Sequence, residues 1–477
     1  MAIKFSKKTK IVATLGPASG SKEVMLEMIR AGVNVFRINF SHAKYDIVVD
    51  RIRLIREINK EYGHNIAILA DLQGPKLRIG EVEEGAFINP GDRLIFTSEK
   101  IVGNSERVYM NYEQFPQDVN PGERVLMDDG KLIVEIEETN KKDTVKAKVI
   151  QGGPLKSNKG VNLPNTKISL PALTEKDIKD AKFACEQQVD WIALSFVRHA
   201  QDLEDIKKLI EEHSDYKIPV ISKIEKPEAI DNLDEIIYNT DALMVARGDL
   251  GVEIPMEEVP LIQKRIVDAS KLARKPVIIA TQMMETMIDS MTPTRAEVND
   301  VANSVLDGAD AVMLSGETSV GKYPVEVIKK MSSILRAVEL DESIITPRYK
   351  PRKKDEHYIT NTTCSQAAKV AQRVNAEAII TLTHTGYTAF QVSSYRAHAH
   401  ILCFTDNPRI VCMLSLLWGV RAFLYDSKGK THEDIFEYVK QTAVNHGTVS
   451  KGELTVNLFS MPAFEKGKTN TLIINRV

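Results

Sequence analysis

Short apolar runs alternate with longer amphipathic segments through most of the first three-quarters of the chain. Runs rich in valine and isoleucine are typical of buried parallel strands, and the segments between them are typical of helices that cover a sheet. The pattern predicts eight strands, at Ile11–Leu15, Val35–Asn39, Ile66–Asp71, Trp191–Leu194, Val220–Lys223, Ala242–Ala246, Pro276–Ala280 and Ala311–Leu314. Helices are predicted between them, including Ser21–Ala31, Ile47–Tyr62, Leu203–His213, Val259–Ala273 and Val298–Asp307. Eight strand–helix units favour an α/β fold with a closed (β/α)8 TIM barrel over an open doubly wound sheet.

The alternation is interrupted between about Gly74 and Pro171. This part is rich in glycine and proline and has no long helical pattern. Its short strands alternate apolar and polar residues, at Val125–Met127, Leu132–Glu137 and Thr144–Ile150. We therefore expect a small all-β domain, inserted after the third barrel strand.

A polar stretch without periodicity, Asp341–His357, contains two prolines and resembles a linker. Beyond it the pattern predicts a third, α/β domain with strands at Ile379–Leu382, Ile401–Phe404, Ala422–Leu424 and Leu472–Asn475. The expected domains are residues 1–73 and 172–341 for the barrel, 74–171 for an inserted β-barrel domain, and 342–477 for a C-terminal α/β domain.

The amino-acid composition limits the binding partners and the cellular location that we expect. Lys and Arg total 63 and Asp and Glu total 65, so the formal net charge of -2 predicts neither a nucleic-acid nor a membrane partner. The four cysteines lack zinc spacing and are expected to be reduced thiols. The first ten residues lack the apolar run of a secretory signal, and no apolar stretch is long enough to cross a bilayer. We expect a soluble, cytoplasmic protein.

Charged and hydroxyl side chains stand where the predicted strands end, which is the end of a barrel that carries the active site. They are the cations Arg37, Arg78, Lys223 and Arg247, the carboxylates Asp71, Glu225 and Asp249, and the hydroxyls of Ser41, Thr281 and Ser315. Lys223 and Glu225 end one strand and Asp249 ends the next, a layout that can hold a divalent metal beside a developing negative charge. Cations together with carboxylates suit phosphoryl transfer. No Walker A sequence, kinase glycine-rich loop, zinc-binding helix motif or G-x-S-x-G is present.

Seven sequence runs resemble the pyruvate kinase family, in family order and along nearly the whole chain. They are Thr9–Pro17, Phe36–His42, Asn158–Pro164, Ser222–Glu225, Val245–Val252, Ala280–Met284 and Met313–Thr318. The resemblance implies a barrel with a lid inserted after its third strand and a C-terminal α/β domain, assembled as a homotetramer. It implies transfer of a phosphoryl group from phosphoenolpyruvate to ADP, which gives pyruvate and ATP with Mg²⁺ or Mn²⁺ as cofactor.

The resemblance also implies roles for the residues at the strand ends. Glu225 and Asp249 would ligate Mg²⁺, which favours one or two carboxylates plus substrate oxygens; the alternative is an ion pair with Lys223 or Arg247. Lys223 would face the transferring phosphoryl group and the enolate oxygen. Arg247 is expected nearer a subunit contact and outside the catalytic set.

The substrate and nucleotide contacts follow from the same resemblance. Arg37 and Arg78 match phosphoryl-binding arginines. Gly248 and Asp249 would offer backbone N–H groups to the substrate carboxylate at a helix start. Thr281 matches the residue near the face on which the enolate is protonated, and its alternative is an N-cap of the helix after strand seven. The remaining expected contacts are Asn39 and Lys159 to nucleotide or phosphoryl groups, and Ser315 and Glu317 in the proton relay.

The predicted monovalent-cation site departs from the family pattern. Asn39, Ser41, Asp71 and the carbonyl of Leu72 match the family's K⁺ ligands. K⁺-requiring members typically read D-T-K-G-P-E at the third strand end, whereas this chain reads Asp71-Leu-Gln-Gly-Pro-Lys76. Our hypothesis is that the Lys76 ammonium replaces the external cation, so that turnover does not need K⁺. The alternative is that Lys76 points to solvent and K⁺ is still bound.

The C-terminal domain offers a possible effector site. Hydroxyls and a glycine that lead into a helix suit a phosphate cradle, at Thr381, Thr383, Thr385, Gly386 and Thr388. The closing loop Phe459–Lys468 departs from the family's glycine-rich pattern, so we expect a sugar-phosphate or nucleotide effector without specifying fructose 1,6-bisphosphate. Two other functions remain open at this point: a metal-dependent lyase or aldolase that acts on pyruvate or phosphoenolpyruvate, and a non-catalytic metabolite sensor.

Overall fold

The first three barrel strands alternate with two helices, as the apolar pattern predicted. The computed structural model describes residues 7–341, 350–353, 355–426, 432–461 and 469–477. Its first elements are β1 (Lys10–Thr14), α1 (Lys22–Ala31), β2 (Val35–Asn39), α2 (Tyr45–Tyr62) and β3 (Ala67–Asp71). The Ser21 hydroxyl caps the start of α1 by accepting from the Val24 N–H, and Gly32 ends the helix at a φ of 131° that favours glycine.

The inserted segment is built mainly of β-strands, as expected, with one short helix. Its elements are β4 (Phe87–Ile88), β5 (Arg93–Thr97), β6 (Arg107–Tyr109), α3 (Phe115–Asp118), β7 (Arg124–Met127), β8 (Leu132–Thr139), β9 (Thr144–Gln151), β10 (Gly153–Pro154) and β11 (Val161–Asn162). Six strands form a sheet in the order β11-β7-β8-β9-β5-β6, and β10 pairs with β4. Arg78 bridges to Gly160, which precedes the edge strand β11, and Ile79 bridges to Met110, which follows the other edge strand β6. The segment at residues 78 and 79 thus links the two edges, so the sheet curls toward a barrel.

The chain then returns to the barrel. The following elements are α4 (Glu175–Glu186), β12 (Trp191–Leu194), α5 (Ala200–His213), β13 (Val220–Ile224), α6 (Pro227–Asp231), α7 (Leu233–Asn239), β14 (Ala242–Ala246), α8 (Arg247–Glu253), α9 (Val259–Ala273), β15 (Val277–Ala280), α10 (Arg295–Asp307), β16 (Ala311–Leu314), α11 (Gly316–Ser319) and α12 (Pro324–Val338). Eight parallel strands close in the order β1-β16-β15-β14-β13-β12-β3-β2. The predicted TIM barrel is confirmed.

The C-terminal part is an α/β unit, as predicted, with one more strand than the pattern gave. Its elements are α13 (Tyr358–Arg373), β17 (Ala378–Leu382), α14 (Tyr387–Ser394), β18 (His400–Thr405), α15 (Pro408–Met413), β19 (Val420–Leu424), α16 (His432–Asn445), β20 (Leu454–Phe459) and β21 (Thr471–Arg476). Strand β20 escaped prediction because Thr455 and Asn457 interrupt its apolar run, although both are buried. Residues 342–349 and 354 of the predicted linker lie outside the described residues.

The barrel interior and the C-terminal sheet share one hydrophobic core. Side chains that point into the barrel, such as Leu69 and Met244, belong to the same buried cluster as Ile379 of β17. Trp191 crosses this boundary, since its indole Nε1–H donates to the Met413 carbonyl at 3.0 Å. The C-terminal unit therefore covers the amino ends of the barrel strands and leaves their carboxyl ends to the site. Within the described ranges, no helix combines the length and apolarity needed to traverse a membrane.

Candidate active site

Strands β3 and β13 bring one ammonium and two carboxylates together at the carboxyl end of the barrel. Lys223 Nζ lies 2.8 Å from Glu225 Oε1 and 3.3 Å from Asp71 Oδ1. It also donates a 2.7 Å hydrogen bond to the Ser195 hydroxyl, which follows β12. All three charged side chains are almost wholly buried, with 11% of Lys223 and 1% of each carboxylate side chain exposed. All three groups stand at or just beyond the carboxyl ends of barrel strands, which meet at one rim.

The charges of this cluster support one another. Burial by itself disfavours the ammonium of Lys223, but the carboxylates of Asp71, Glu225 and Asp249 outweigh burial and raise its pKa. Lys223 is consequently a fixed cation at neutral pH. Burial likewise opposes the Asp71 carboxylate, yet the charges of Arg37 and Lys223 prevail and lower its pKa. A preformed cation in a water-poor site is suited to stabilise a developing oxyanion.

Arg37 stands beside this cluster on β2. Its Nε donates to Asp71 Oδ2 at 2.6 Å, and its NH1 donates to the Thr14 hydroxyl at 2.9 Å. The guanidinium is therefore oriented by groups from β1 and β3. Such a fixed fork can recognise phosphoryl oxygens with little loss of side-chain entropy.

Glu225 and Asp249 have the chemistry of a magnesium site. Burial raises the pKa of Glu225, and the neighbouring charge of Asp249 adds to that effect while Lys223 opposes it. A divalent cation between two such carboxylates would relieve their repulsion, and Mg²⁺ is commonly held by one or two carboxylates plus substrate oxygens. Among the described residues there is no cluster of three or more acidic, histidine or cysteine side chains that could hold a metal. The two carboxylates therefore fit a Mg²⁺ ion whose remaining ligands are substrate oxygens.

Thr281 and Gly248 are in direct contact. The Gly248 N–H donates a 2.7 Å hydrogen bond to the Thr281 hydroxyl, which in turn donates to the Ala280 carbonyl at 2.6 Å. The N-cap expectation for Thr281 was wrong about the helix: the next helical turn after β15 is a 3-10 turn at Glu285–Ile288, whereas Thr281 caps α8. The Gly248 N–H expected to face the substrate carboxylate is therefore engaged by Thr281 in this structure.

Arg247 is held away from the cluster by an ion pair. Its NH1 and NH2 donate to Asp300 of α10 at 2.5 and 2.7 Å, and NH2 also donates to the Thr281 carbonyl at 2.8 Å. These contacts fix the loop after β15 against the start of α8.

Glu317 ties the two last strand ends together. Its Oε1 accepts from the Met284 N–H at 3.2 Å and its Oε2 from the Ser315 N–H at 2.7 Å. Burial raises the pKa of the Glu317 carboxyl, and the backbone N–H groups moderate the increase. Its contacts organise the backbone of the predicted proton relay.

The predicted monovalent-cation ligands lie on adjacent strands, because Asn39 of β2 is in register with Asp71 of β3. Several of their oxygens are engaged: the Asn39 amide oxygen accepts from the Ser41 N–H at 3.0 Å, and the Leu72 carbonyl accepts from the Ser195 hydroxyl at 2.7 Å. Asp71 Oδ1 is buried and already faces the Lys223 ammonium at 3.3 Å.

An open cleft lies between the barrel mouth and the inserted sheet. Asp249, Lys76 and Phe196 are among the side chains that line it. Arg78 and Lys159 lie on the inserted side, where Arg78 NH1 donates to the Asn158 carbonyl at 2.8 Å and Lys159 Nζ pairs with Asp128 at 2.8 Å. The structure therefore does not bring these two cations into contact with Lys223.

The predicted effector residues divide into two groups. The Thr383 hydroxyl accepts from the Gly386 N–H at 3.0 Å, and the Thr385 hydroxyl accepts from the Tyr387 N–H at 3.4 Å, so these residues shape the turn into α14. Thr381 is buried inside β17, and the Thr388 hydroxyl is buried against Thr469 at 2.9 Å. Of the five predicted residues, Thr383, Thr385 and Gly386 therefore lie at the turn where the phosphate site was expected, and Thr381 and Thr388 do not. Residues 462–468 of the closing loop lie outside the described residues.

Comparisons with known proteins point to the same family along nearly the whole chain. The family description "Pyruvate kinase, barrel domain" matches residues 6–328, and "Pyruvate kinase, alpha/beta domain" matches residues 361–475. The chain is 42% identical to the pyruvate kinase of Corynebacterium glutamicum over 472 residues, which cover 99% of this chain and 98% of that protein. It is 40% identical to the pyruvate kinase of Mycobacterium tuberculosis over 479 residues, with 99% of each covered.

A solved pyruvate kinase structure from Cryptosporidium parvum matches with a TM-score of 0.91 and 34% identity, over 99% of this chain and 96% of that chain. The chain belongs to the pyruvate kinase family. It is a phosphotransferase that moves a phosphoryl group from phosphoenolpyruvate to ADP, and pyruvate kinases generally use Mg²⁺ and K⁺. The lyase and metabolite-sensor alternatives are therefore set aside.

Sequence reasoning missed two supporting residues of this pyruvate kinase site. Ser195 links Lys223 to the Leu72 carbonyl, and Phe196 donates its N–H to Glu225 Oε2 at 2.8 Å. Phe196 adopts a φ of 54°, which is rare for an aromatic residue and turns its N–H toward the carboxylate. Both residues follow β12, so the strand-end rule would have found them had the fourth strand been included.

Proposed function

We propose that the cluster at the barrel mouth is where the phosphoryl group passes from phosphoenolpyruvate to ADP. The observation that carries this assignment is the buried Lys223 ammonium, held within 3.3 Å of two carboxylates at the carboxyl end of a closed barrel. Lys223 stabilises the negative charge that grows on the enolate oxygen as the phosphoryl group leaves. Arg37, oriented by Asp71, binds the oxygens of the phosphoryl group.

Glu225 and Asp249 hold the magnesium ion in this proposal. When bound, Mg²⁺ supplies positive charge that neutralises substrate oxygens. The chain's own contribution is orientation: the Phe196 N–H and the Lys223 ammonium fix the two oxygens of Glu225. Asp249 approaches from the first turn of α8, where a helix dipole favours negative charge.

Protonation of the enolate is assigned to the region of Thr281, through water, because a hydroxyl alone is a poor acid. Its hydroxyl already relays a hydrogen bond between Gly248 and Ala280. When a substrate carboxylate takes the Gly248 and Asp249 N–H groups, the Thr281 oxygen is freed for that water. Ser315 and Glu317 keep the neighbouring backbone in place.

We assign the inserted residues 74–171 as a lid over the nucleotide, between barrel segments 1–73 and 172–341. The Lys159 side chain is 37% exposed and pairs with Asp128, so a modest movement can exchange that carboxylate for a nucleotide phosphate. Arg78 and Asn39 serve as further phosphoryl or nucleotide contacts. Lid closure removes water, which favours transfer to ADP over hydrolysis.

Turnover without K⁺ is the finer proposal for the monovalent site. Asp71 Oδ1 is paired with the Lys223 ammonium at 3.3 Å, and Lys76 lines the cleft on the loop that follows the same strand as Asp71. We propose that the Lys76 ammonium supplies the charge that an external K⁺ would otherwise bring when substrate binds. Assays in tetramethylammonium buffer should give near-full activity for the wild type and a gain from K⁺ for Lys76→Glu. Wild-type activity that is negligible until K⁺ is added would contradict it.

The C-terminal domain, residues 342–477, is proposed to bind a phosphorylated effector at the turn formed by Thr383, Thr385 and Gly386. The supporting feature is the backbone at the start of α14, an eight-residue helix that Gly386 enters at a φ of 86°. A panel of sugar phosphates and nucleotides should include one that shifts the saturation curve for phosphoenolpyruvate. A curve that no member of the panel moves would rule the effector out.

A homotetramer is proposed from the family resemblance. Large exposed apolar side chains on the barrel, Met256 at 75% and Leu261 at 70%, provide surface that association can bury. Light scattering coupled to gel filtration distinguishes a tetramer from a monomer directly.

The decisive experiment is a coupled assay for pyruvate with phosphoenolpyruvate, with and without ADP and Mg²⁺. We expect pyruvate only when both are present. Glu225→Gln should reduce the rate by about 10²-fold or more and raise the Mg²⁺ requirement, whereas Glu211→Gln, exposed on α5, should behave as wild type. Pyruvate formed without ADP would favour a lyase, and a Glu225→Gln variant with an unchanged Mg²⁺ requirement would refute the metal assignment.

A further inference from the structure

A half-buried contact joins the inserted sheet to the barrel mouth. Asn162 of β11 donates through Nδ2 to Glu253 Oε1 at 2.8 Å. The same carboxylate oxygen lies 2.6 Å from Lys226 Nζ. The three residues come from the inserted sheet, the end of α8 and the loop after β13, and all three line the cleft. We call this group the lid bridge.

The ion pair within the lid bridge is well shielded from water. Only 7% of the Lys226 side chain and 1% of the Glu253 side chain are exposed. Glu253 Oε2 is buried and accepts no hydrogen bond, so Oε1 takes both donors. The ammonium of Lys226 also stands 5.9 Å from the centre of the Phe196 ring. Because a buried charge is costly without partners, the Lys226–Glu253 pair is held firmly and presents a fixed acceptor to the lid.

The two barrel members of the lid bridge each adjoin a proposed magnesium ligand. Lys226 follows Glu225 directly in the chain. Glu253 lies four residues after Asp249 on α8, which places both on one face of the helix. Phe196 links the two sides further, since its N–H binds Glu225 and its ring faces Lys226. A displacement of the lid at Asn162 is therefore transmitted to the segments that carry both carboxylates.

We propose that Asn162, Glu253 and Lys226 are positioning residues that set the closed position of the lid and couple it to the metal-binding carboxylates. This inference rests on the proposed function of the cluster. The lid bridge stays formed when the nucleotide binds and contributes part of the free energy of closure. None of the three residues touches the reacting atoms in this scheme.

Asn162→Ala is the primary test, because it removes a neutral donor and leaves the buried Lys226–Glu253 pair intact. The hydrogen bond to a carboxylate is worth enough that we expect the KM for ADP to rise about tenfold. The kcat should change less, since Lys223, Glu225 and Asp249 remain in place. Hydrogen exchange should become faster at the amides of residues 158–162 in the protein without ligands.

Two further variants sharpen the comparison. Asn162→Asp places a second carboxylate against Glu253, so it should raise the KM for ADP further than Asn162→Ala and should weaken Mn²⁺ binding measured by electron paramagnetic resonance. Glu257→Gln is a matched control, because Glu257 is exposed just beyond α8. We expect the control to keep wild-type kinetics and exchange.

An unchanged KM for ADP together with unchanged exchange in Asn162→Ala would overturn the inference. A lower KM would overturn it as well, since it would mean that the contact opposes closure. Both outcomes leave the proposed function intact provided the wild type makes pyruvate with ADP. A wild type without that activity would instead refute the proposed function, while the exchange measurement would still report on the lid bridge.

Discussion

The hydroxyl of Thr281 and the backbone N–H of Gly248 are joined by a hydrogen bond of 2.7 Å. Thr281 adopts a φ of 68°, a conformation that costs a β-branched residue of order 1–3 kcal/mol. The strained backbone aims the hydroxyl at the start of α8, one residue before the proposed metal ligand Asp249. The residue proposed to serve protonation and the helix proposed to bind the substrate carboxylate are thus one hydrogen-bonded unit.

Replacing Thr281 should separate the contribution of its hydroxyl from that of its methyl group. Thr281→Ser keeps the acceptor for Gly248 and should retain most of the activity. Thr281→Val keeps the shape but loses the hydroxyl, so we expect kcat to fall about 10²-fold, within the usual range for a general acid–base contribution. Steady-state kinetics of the two variants give the comparison. Equal rates for Thr281→Val and the wild type would remove Thr281 from the mechanism.

Lys223 is the residue whose loss should be most damaging to the chemistry. Lys223→Met removes the ammonium between Asp71 and Glu225. We expect kcat to fall about 10²–10³-fold or more, because a preorganised charge opposite the growing oxyanion is absent. Lys223→Arg retains a positive charge but replaces the compact ammonium by a larger planar guanidinium, so it should recover only part of the rate. Thermal midpoints measured alongside show whether either variant has lost its fold, and a Met variant with wild-type kcat would contradict the assignment.

The sequence predicted the barrel and its convergent strand ends because both depend on local pattern and simple topology. All strands of a parallel barrel run in the same direction, so their carboxyl ends lie at one rim. Lys223, Glu225 and Asp71 therefore share that rim. The family could be predicted because its sequence motifs occur here in the family's order, and the family comparisons confirmed it. The strand β20 was missed for a local reason, since its buried Thr455 and Asn457 look like solvent-facing residues.

Other features depend on tertiary geometry that no local pattern encodes. The cap that Thr281 gives to α8 joins residues 33 apart in sequence, and the contact between Asn162 and Glu253 joins residues 91 apart. Thr381 lies only two residues from Thr383, yet it is inside β17 and wholly buried, whereas Thr383 follows the end of that strand. The roles proposed for the site residues stay predictions.

The attachment of the C-terminal domain should depend on one buried ion pair. Arg396 NH1 lies 2.9 Å from Asp310 Oδ1, and its NH2 donates to the Gly308 carbonyl at 2.8 Å. Arg396→Leu leaves the Asp310 carboxylate buried without its cation, so we expect a loss of about 3–5 kcal/mol in stability. Calorimetry of Arg396→Leu, and of Arg396→Leu combined with Asp310→Asn, tests this. The double variant should recover part of the loss, and equal midpoints for the single variant and wild type would refute it.

The amino-terminal contact with the same domain should make stability depend on pH. Lys10 is buried at the start of β1, where its ammonium donates to the Val420 carbonyl at 2.7 Å. Burial lowers its pKa to about 7; Lys7 and Arg421 act in the same direction, and Glu339 and Asp310 oppose it. Burial also lowers the pKa of Lys7 to about 7.

Between pH 7 and the ordinary lysine pKa of 10.5, the unfolded chain binds protons that these folded lysines have released. Stability should therefore increase as pH rises through that window, by at most about 1.4 kcal/mol per pH unit for each lysine. Thermal midpoints at pH 7 and pH 9 should differ less for Lys10→Met than for the wild type, while Lys60→Met, exposed on α2, should keep the wild-type difference. A wild-type midpoint that falls across this range would show that Lys10 stays charged in the folded protein.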